Sequence, residues 1–177
     1  MQYTSTYKSP LGGILLAGDE NGLTGLWFDG GRYYGAGLSA GHEAKEIPLF
    51  AEVKRWLDVY FDGREPDFMP PLHLTGSDFQ LAVWGLLREI PYGKTTTYGR
   101  IADTLAAKAG LTHMSAQAVG GAVGHNPISV ILPCHRVIGA GGSLTGYAGG
   151  IDKKRKLLAL EGVDTRALTV PKKGSAL

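Results

Sequence analysis

Hydrophobic and polar positions change their period along this chain of 177 residues. Tyr3 to Lys8 alternates loosely, Ile14-Leu15-Leu16-Ala17 forms a second apolar run, and Leu23 to Phe28 a third. Ser9-Pro10-Leu11-Gly12-Gly13 and Asp19-Glu20-Asn21-Gly22 stand between them as turns, so this part predicts a meander of antiparallel strands. Residues 29–47 are glycine-rich and polar, with no clear period. Then Leu49, Phe50, Val53, Trp56, Leu57, Tyr60 and Phe61 recur at helical spacing, with Gly63 placed to end the helix. Asp62-Gly63-Arg64-Glu65-Pro66, continuing to Pro70-Pro71, reads as a linker, which predicts one domain over 1–75 and another over 76–177.

The second part is helical. Ser77 and Gln80 have capping-box spacing ahead of a helix from Phe79 to Ile90, whose inner face is Phe79, Val83, Leu86, Leu87 and Ile90. Ile90-Pro91-Tyr92-Gly93 stops it. Thr95-Thr96-Thr97 caps a second helix, about Tyr98 to Lys108, and Gly110 ends that one. Ser115 caps a third, running to about Gly124, and the pair suggests a helix-turn-helix with a turn longer than usual. Asp152 is placed to cap a final helix from Lys153 to Glu161, ended by Gly162. The tail, Pro171-Lys172-Lys173-Gly174-Ser175, reads as mobile.

The third of these helices is clad almost entirely in alanine and glycine. An interior glycine costs about 1 kcal/mol relative to alanine, so something must offset Gly120 and Gly121. Two readings compete: tight packing against a neighbouring element, or entry into a confined space. A helix with its side chains is roughly 10–12 Å across, whereas the DNA minor groove is about 6 Å wide.

Between the last two helices lies the apolar run Ile128 to Leu132, read as a short buried strand, followed by Pro133-Cys134-His135-Arg136-Val137. Cys134 is the only cysteine, so it has no disulfide partner within the chain. A lone cysteine is often a small buried hydrophobe. A histidine directly after it permits another reading, provided the chain bends, because neighbours on a strand point to opposite faces; Pro133 favours such a bend. A free thiol has a pKa of about 8.5 and needs a base. His135 can take its proton, and Glu161 is a candidate to orient the imidazole. The five histidines show no ligand spacing, so neither a metal nor a cofactor is expected.

Composition and charge add a little. With one cysteine, no basic-then-apolar leader pattern in Met1-Gln2-Tyr3-Thr4-Ser5-Thr6 and no apolar run near the roughly 18–20 residues of a membrane span, a reducing cytoplasm is the expected compartment and no membrane contact is expected. Residues 1–76 hold six Lys/Arg against ten Asp/Glu, and residues 77–177 hold twelve against six. A basic second half fits a surface that meets a polyanion.

Phe79-Gln80-x-x-Val83-Trp84, Ile90-Pro91-Tyr92-Gly93, Tyr98-Gly99, Ala118-Val119-Gly120, Asn126-Pro127, Pro133-Cys134-His135-Arg136-Val137 and Gly146-Tyr147-Ala148-Gly149-Gly150 occur in this order. In these segments the chain resembles the O6-alkylguanine-DNA alkyltransferases, densely over about residues 76–162. The resemblance implies an α+β protein: an N-terminal β-meander plus helix of ribonuclease H-like type, as support, and a mostly helical winged helix-turn-helix domain that carries the cysteine. It implies a monomer, with no required protein partner, acting on double-stranded DNA with an alkylated guanine. The damaged base is rotated out through the minor groove and its alkyl group passes once, irreversibly, to Cys134. O4-alkylthymine is a further substrate to consider. By the same resemblance His135 is the base, acting through a water, Glu161 orients it, and Asn126 holds the turn that presents Cys134. Tyr98, Val137, Tyr147 and Ala148 line the base pocket, with Tyr98 helping to protonate the leaving base. Ser115, Ala116, Gln117, Ala118, Gly120 and Arg136 meet DNA. Gln117 stands where the family usually has an arginine that fills the gap left by the flipped base. Two other classes compete with transfer: a non-catalytic lesion-binding protein, whose kind lacks the cysteine in this motif, and a cysteine hydrolase, which no further motif supports.

Overall fold

The computed structural model describes residues 1–171; the expected mobile tail lies outside the described residues from Lys172 onward. The chain divides into two compact units, Met1–Thr75 with Pro127–Ser129, and Gly76–Asn126 with the chain from Val130 on.

In the first unit the predicted meander is present as β1 (Tyr3–Ser9), β2 (Gly12–Asp19) and β3 (Gly22–Phe28), paired antiparallel in the order β3-β2-β1. The Asp19 carboxylate closes the second turn by accepting from the backbone N–H groups of Asn21 and Gly22, at 2.9 and 3.2 Å. The glycine-rich stretch contains a short strand the periodicity did not reveal, β4 (Glu43–Ala44), parallel to β1. Helix α1 (Pro48–Phe61) packs on β1 and β2 through Phe50, Val53, Trp56, Leu57 and Tyr60.

The expected linker is more than a tether. Leu23 N–H donates to the Pro71 carbonyl and His73 N–H to the Leu23 carbonyl, both at 2.8 Å. Leu26 of the same strand pairs with Pro127 and Ser129 at 2.9 and 3.0 Å. Open edges of a sheet carry unpaired backbone groups, and two passing segments satisfy those of β3.

The second unit holds α2 (Asp78–Leu87), β5 (Thr96–Thr97), α3 (Tyr98–Lys108), α4 (Ala116–Gly124), β6 (Val137–Ile138) and α5 (Ile151–Leu160). Ser77 and Gln80 cap α2 reciprocally, as predicted. Thr97 and Ser115 cap α3 and α4 through their hydroxyl oxygens. Trp84 on α2 is buried and its indole N–H donates to the Ala122 carbonyl on α4 at 2.9 Å, which fixes the two helices against each other. β5 and β6 pair in parallel and join the start of α3 to the segment after Cys134. Beyond them Ile138, Leu144 and Leu158 form a small core covered by Ile151, Val163 and Leu168.

Two local expectations are corrected. Asp152 does not cap α5: the helix starts at Ile151 behind Gly150, and Asp152 pairs instead with Lys156 one turn on, at 2.9 Å. The apolar run 128–132 is buried, but as a turn. Val130 has φ +69°, a left-handed conformation that a β-branched residue adopts only under strong constraint. Among the described residues no helix is long and apolar enough to cross a membrane.

Candidate active site

The turn through Val130 leads into a single 3-10 turn, Cys134–Arg136. Cys134 N–H donates to the Leu132 carbonyl at 2.7 Å and Arg136 N–H to the Pro133 carbonyl at 3.0 Å. This is the bend that an extended strand would not allow, and three consecutive side chains are directed into the interior by it. Cys134 is 5% exposed, His135 0% and Arg136 8%. Asn126 braces the turn from the side, its amide Nδ2 donating to the Leu132 carbonyl at 2.8 Å.

Glu161, at the C-terminal end of α5, meets this turn with both carboxylate oxygens. Oε2 accepts from His135 Nε2 at 2.5 Å, and Oε1 accepts from Arg136 Nε at 2.8 Å and from the Gly93 backbone N–H at 3.0 Å. Arg136 continues to the Ile90 carbonyl through Nη1 at 2.7 Å and lies 5.7 Å over the Tyr92 ring. Ile90-Pro91-Tyr92-Gly93 is therefore a bracket for Glu161. Gly93 has φ +73°, and a Cβ there would sit 3.0 Å from the Glu161 carbonyl oxygen, so the position suits glycine alone.

Burial pushes the Glu161 carboxyl up, but His135, Arg136 and the Gly93 N–H outweigh it and hold the acid at about 2. Burial pushes His135 down, against the pull of Glu161 and with Arg136 and Lys154 adding to the fall. The imidazole is thus neutral, its proton on Nε2 toward the carboxylate, and Nδ1 is the basic nitrogen. Burial raises the Cys134 thiol, opposed by a hydrogen bond from Asn126, the charge of Lys154 and local backbone N–H groups. Such a set can draw a proton from sulfur and deliver a thiolate to an electrophilic carbon.

The structure groups most of the expected pocket residues around this centre. Tyr98, at the start of α3, donates its hydroxyl to the Thr145 carbonyl at 3.0 Å, and burial pushes it up to about 12. Val137 is fully buried. The Tyr147 ring meets the His135 ring edge-on at 6.5 Å, and Ala148 follows it, half-buried. Ser115, Ala116, Gln117 and Ala118 are exposed together at the start of α4, while Gly120 faces Tyr98, whose ring would lie 3.8 Å from an added Cβ. Arg136, expected among the DNA-binding residues, lies apart from these. Its guanidinium is consumed inside the protein by Glu161 and Ile90.

One residue near the thiol went unread in the sequence. Lys154 on α5 is 0% exposed, and its Nζ donates to the Val137 and Thr145 carbonyls, each at 2.6 Å. It shares an inward helical face with Leu157, Leu158 and Glu161, so a charged residue on an apolar stripe was the available signal.

Residues 2–74 match the family described as 6-O-methylguanine DNA methyltransferase, ribonuclease-like domain, and residues 78–163 match its DNA binding domain. The methylated-DNA–protein-cysteine methyltransferase of Methanosarcina acetivorans is 46% identical over 90% of this chain and 98% of its own. This chain belongs to the 6-O-methylguanine DNA methyltransferase family. The protein of the same description from Haemophilus influenzae is 41% identical over 90% of this chain and 86% of its own. Among solved structures of this family, Mycobacterium tuberculosis OGT in complex with DNA superposes with a TM-score of 0.78 at 45% identity, over 90% of this chain and 92% of that one.

Proposed function

We propose that this protein repairs alkylated DNA by direct reversal, with Cys134 as the acceptor. His135 Nδ1 takes the thiol proton through a water, and the sulfur electron pair forms a bond to the alkyl carbon. The carbon–O6 bond breaks with its electrons left on the base, and Tyr98, still protonated at neutral pH, helps to return a proton to it. The product is a thioether on Cys134, so each chain acts once. The carrying observation is the burial of the sole cysteine on one 3-10 turn with His135, whose Nε2 lies 2.5 Å from Glu161.

Burial of the thiol supports base rotation. A cysteine only 5% exposed cannot bring its sulfur to an O6 substituent inside a stacked duplex, so the base must leave the stack and enter the protein, at a cost of a few kcal/mol that is smaller for a damaged pair. The surface of α4 supports the minor groove as the route. Ala116, Gln117, Ala118 and Gly121 are its exposed residues near the N-terminus, and a Cβ at Gly121 or Gly124 would meet nothing within 4 Å. Intramolecular packing does not require these two glycines, which supports a confined external space as their reason. Gln117 is the one long side chain on that face and enters the gap left by the rotated base, with weaker and less salt-sensitive DNA binding than an arginine would give.

The side chains of the site come from one unit of one chain, which fits a monomer that needs no protein partner, and a single free thiol fits the cytoplasm. Residues 1–75 serve as support and 76–177 as the DNA-binding and acceptor domain. Guanine alkylated at O6 is the substrate, with O4-alkylthymine a second one to assay. Intact mass after incubation with DNA containing O6-methylguanine tests the reading. One methyl group per chain, absent from Cys134→Ser, is expected; binding without a stable adduct would overturn transfer in favour of lesion recognition.

A further inference from the structure

Among the described residues Lys154 is the only lysine in the interior. Among those residues its ammonium takes part in no ion pair, and its hydrogen bonds go to two carbonyl oxygens, those of Val137 and Thr145. The two carbonyls accept from two of its three donors but carry no countercharge, and a buried cation without an anion is among the most costly groups a fold can hold. The carboxylate of Glu161, two turns along the same helix face, is already engaged by Arg136 and His135. Among the described residues no anion pairs with this ammonium at rest, whereas the proposed reaction generates a thiolate.

We infer that Lys154 is the fixed counter-cation of the Cys134 thiolate, a positioning residue held on the Val137 and Thr145 carbonyls and acting on the sulfur through space. This rests on the reading of Cys134 as the acceptor. The electrostatics of the site agree in three respects. The charges of Lys154 and Cys134 act on each other: the lysine lowers the thiol's proton affinity, and the thiolate raises that of the lysine. Burial, the larger influence, brings Lys154 down to about 8, so it stays mostly protonated at neutral pH. The same charge also lowers His135, which keeps the imidazole neutral and able to accept the thiol proton.

Groups from several elements act on the Cys134 sulfur. His135 adjoins it on the 3-10 turn, with Arg136 and Glu161 forming a mutually neutralised pair behind that ring. Asn126 supplies a hydrogen bond. From α3 comes Tyr98, whose hydroxyl shares the Thr145 carbonyl with Lys154 and whose ring lies 5.8 Å from Nζ. Lys154 is the net positive charge among them. It also ties Val137 to Thr145, the two ends of the loop beside the expected base pocket.

The test uses the full chain without DNA first, where a single cysteine makes thiolate ultraviolet absorbance unambiguous. Lys154→Met should move the Cys134 titration up by about one pH unit or more, and slow methyl transfer from O6-methylguanine DNA about ten-fold at neutral pH, recovered at higher pH. Lys154→Arg should titrate near wild type, and DNA affinity should be the same in all three. A Met variant that titrates like wild type, or that loses transfer equally at every pH, overturns the inference. Should Lys154→Met fail to fold, the reciprocal measurement decides. NMR titration of the Lys154 ammonium in Cys134→Ser must shift to lower pH than in wild type, and an unchanged titration overturns the inference. Wild type that accepts no methyl group would instead sink the reading of Cys134 as acceptor, whatever the thiol titration shows.

Discussion

Glu161 Oε2 stands 2.5 Å from His135 Nε2 with both side chains fully buried. This contact fixes the tautomer of the imidazole and therefore which nitrogen can serve the thiol. Glu161→Gln keeps the shape but removes the charge that pins the Nε2 proton. Single-turnover methyl transfer should fall by about 10²-fold, while DNA affinity holds. A rate within about two-fold of wild type would remove Glu161 from the mechanism.

The same pair sets an acid limit on stability. Glu161 is held at about 2 against an ordinary 4.5, so the fold favours the ionised form. Its contribution, roughly 3 kcal/mol, is full above pH 4.5 and is lost as pH falls toward 2. His135 lies below its ordinary 6.5 because burial favours the neutral ring, and its contribution is likewise full above 6.5 and lost on acidification. Both groups therefore act in one direction. Denaturant midpoints should decline from pH 6.5 downward, and Glu161→Gln should flatten the part between 4.5 and 2; an unchanged slope there would falsify the assignment of that acid to Glu161.

Arg136 separates a structural from a DNA-binding role. Its guanidinium bonds Glu161 and Ile90, so Arg136→Met leaves a buried carboxylate short of its partner and should destabilise the protein by about 3–5 kcal/mol. Lysine has no rigid fork and should rescue it only in part. At a temperature where the variant is folded, the slope of log affinity for DNA against log salt should match wild type. A slope reduced by about one would put Arg136 on a phosphate after all.

The sequence carried the regular elements and the acceptor motif because both are local. Capping pairs such as Ser77 with Gln80, helical stripes and turn residues are set within a few positions, and apart from the cap expected of Asp152 they appear as read. What stayed hidden depends on contacts far along the chain. The run 128–132 has the composition of a buried strand, yet Val130 takes φ +69° and the run is a turn. Arg136 reads as a basic surface group until Glu161, 25 residues on, takes it inward. Lys154 was legible in principle, since it falls on the stripe of Leu157, Leu158 and Glu161, but a single lysine on an apolar face is usually discounted as a surface group reaching water.

Gln117 gives a further test of how α4 meets DNA. As the long side chain on an exposed face of alanine and glycine, it should matter for duplex substrates and little for single strands, where no partner base is orphaned. Gln117→Ala should slow repair of duplex DNA selectively. Gln117→Arg should tighten binding and steepen its salt dependence by about one unit of slope. Equal duplex repair by Gln117→Ala and wild type would show that nothing inserts from this position.

Gly121 sets stability against function within a single residue. An added Cβ would meet nothing within 4 Å, and α4 is an ordinary helix there, so Gly121→Ala removes an entropic penalty without a clash. The variant should gain up to about 1 kcal/mol in stability. If α4 enters a narrow groove, the added methyl must meet DNA, and affinity for duplex should fall while thiol reactivity toward a small alkylating reagent is unchanged. A variant that is both more stable and equally tight on DNA would mean that the bare face of α4 is not the surface that meets the groove, and attention would move to the long turn between α3 and α4.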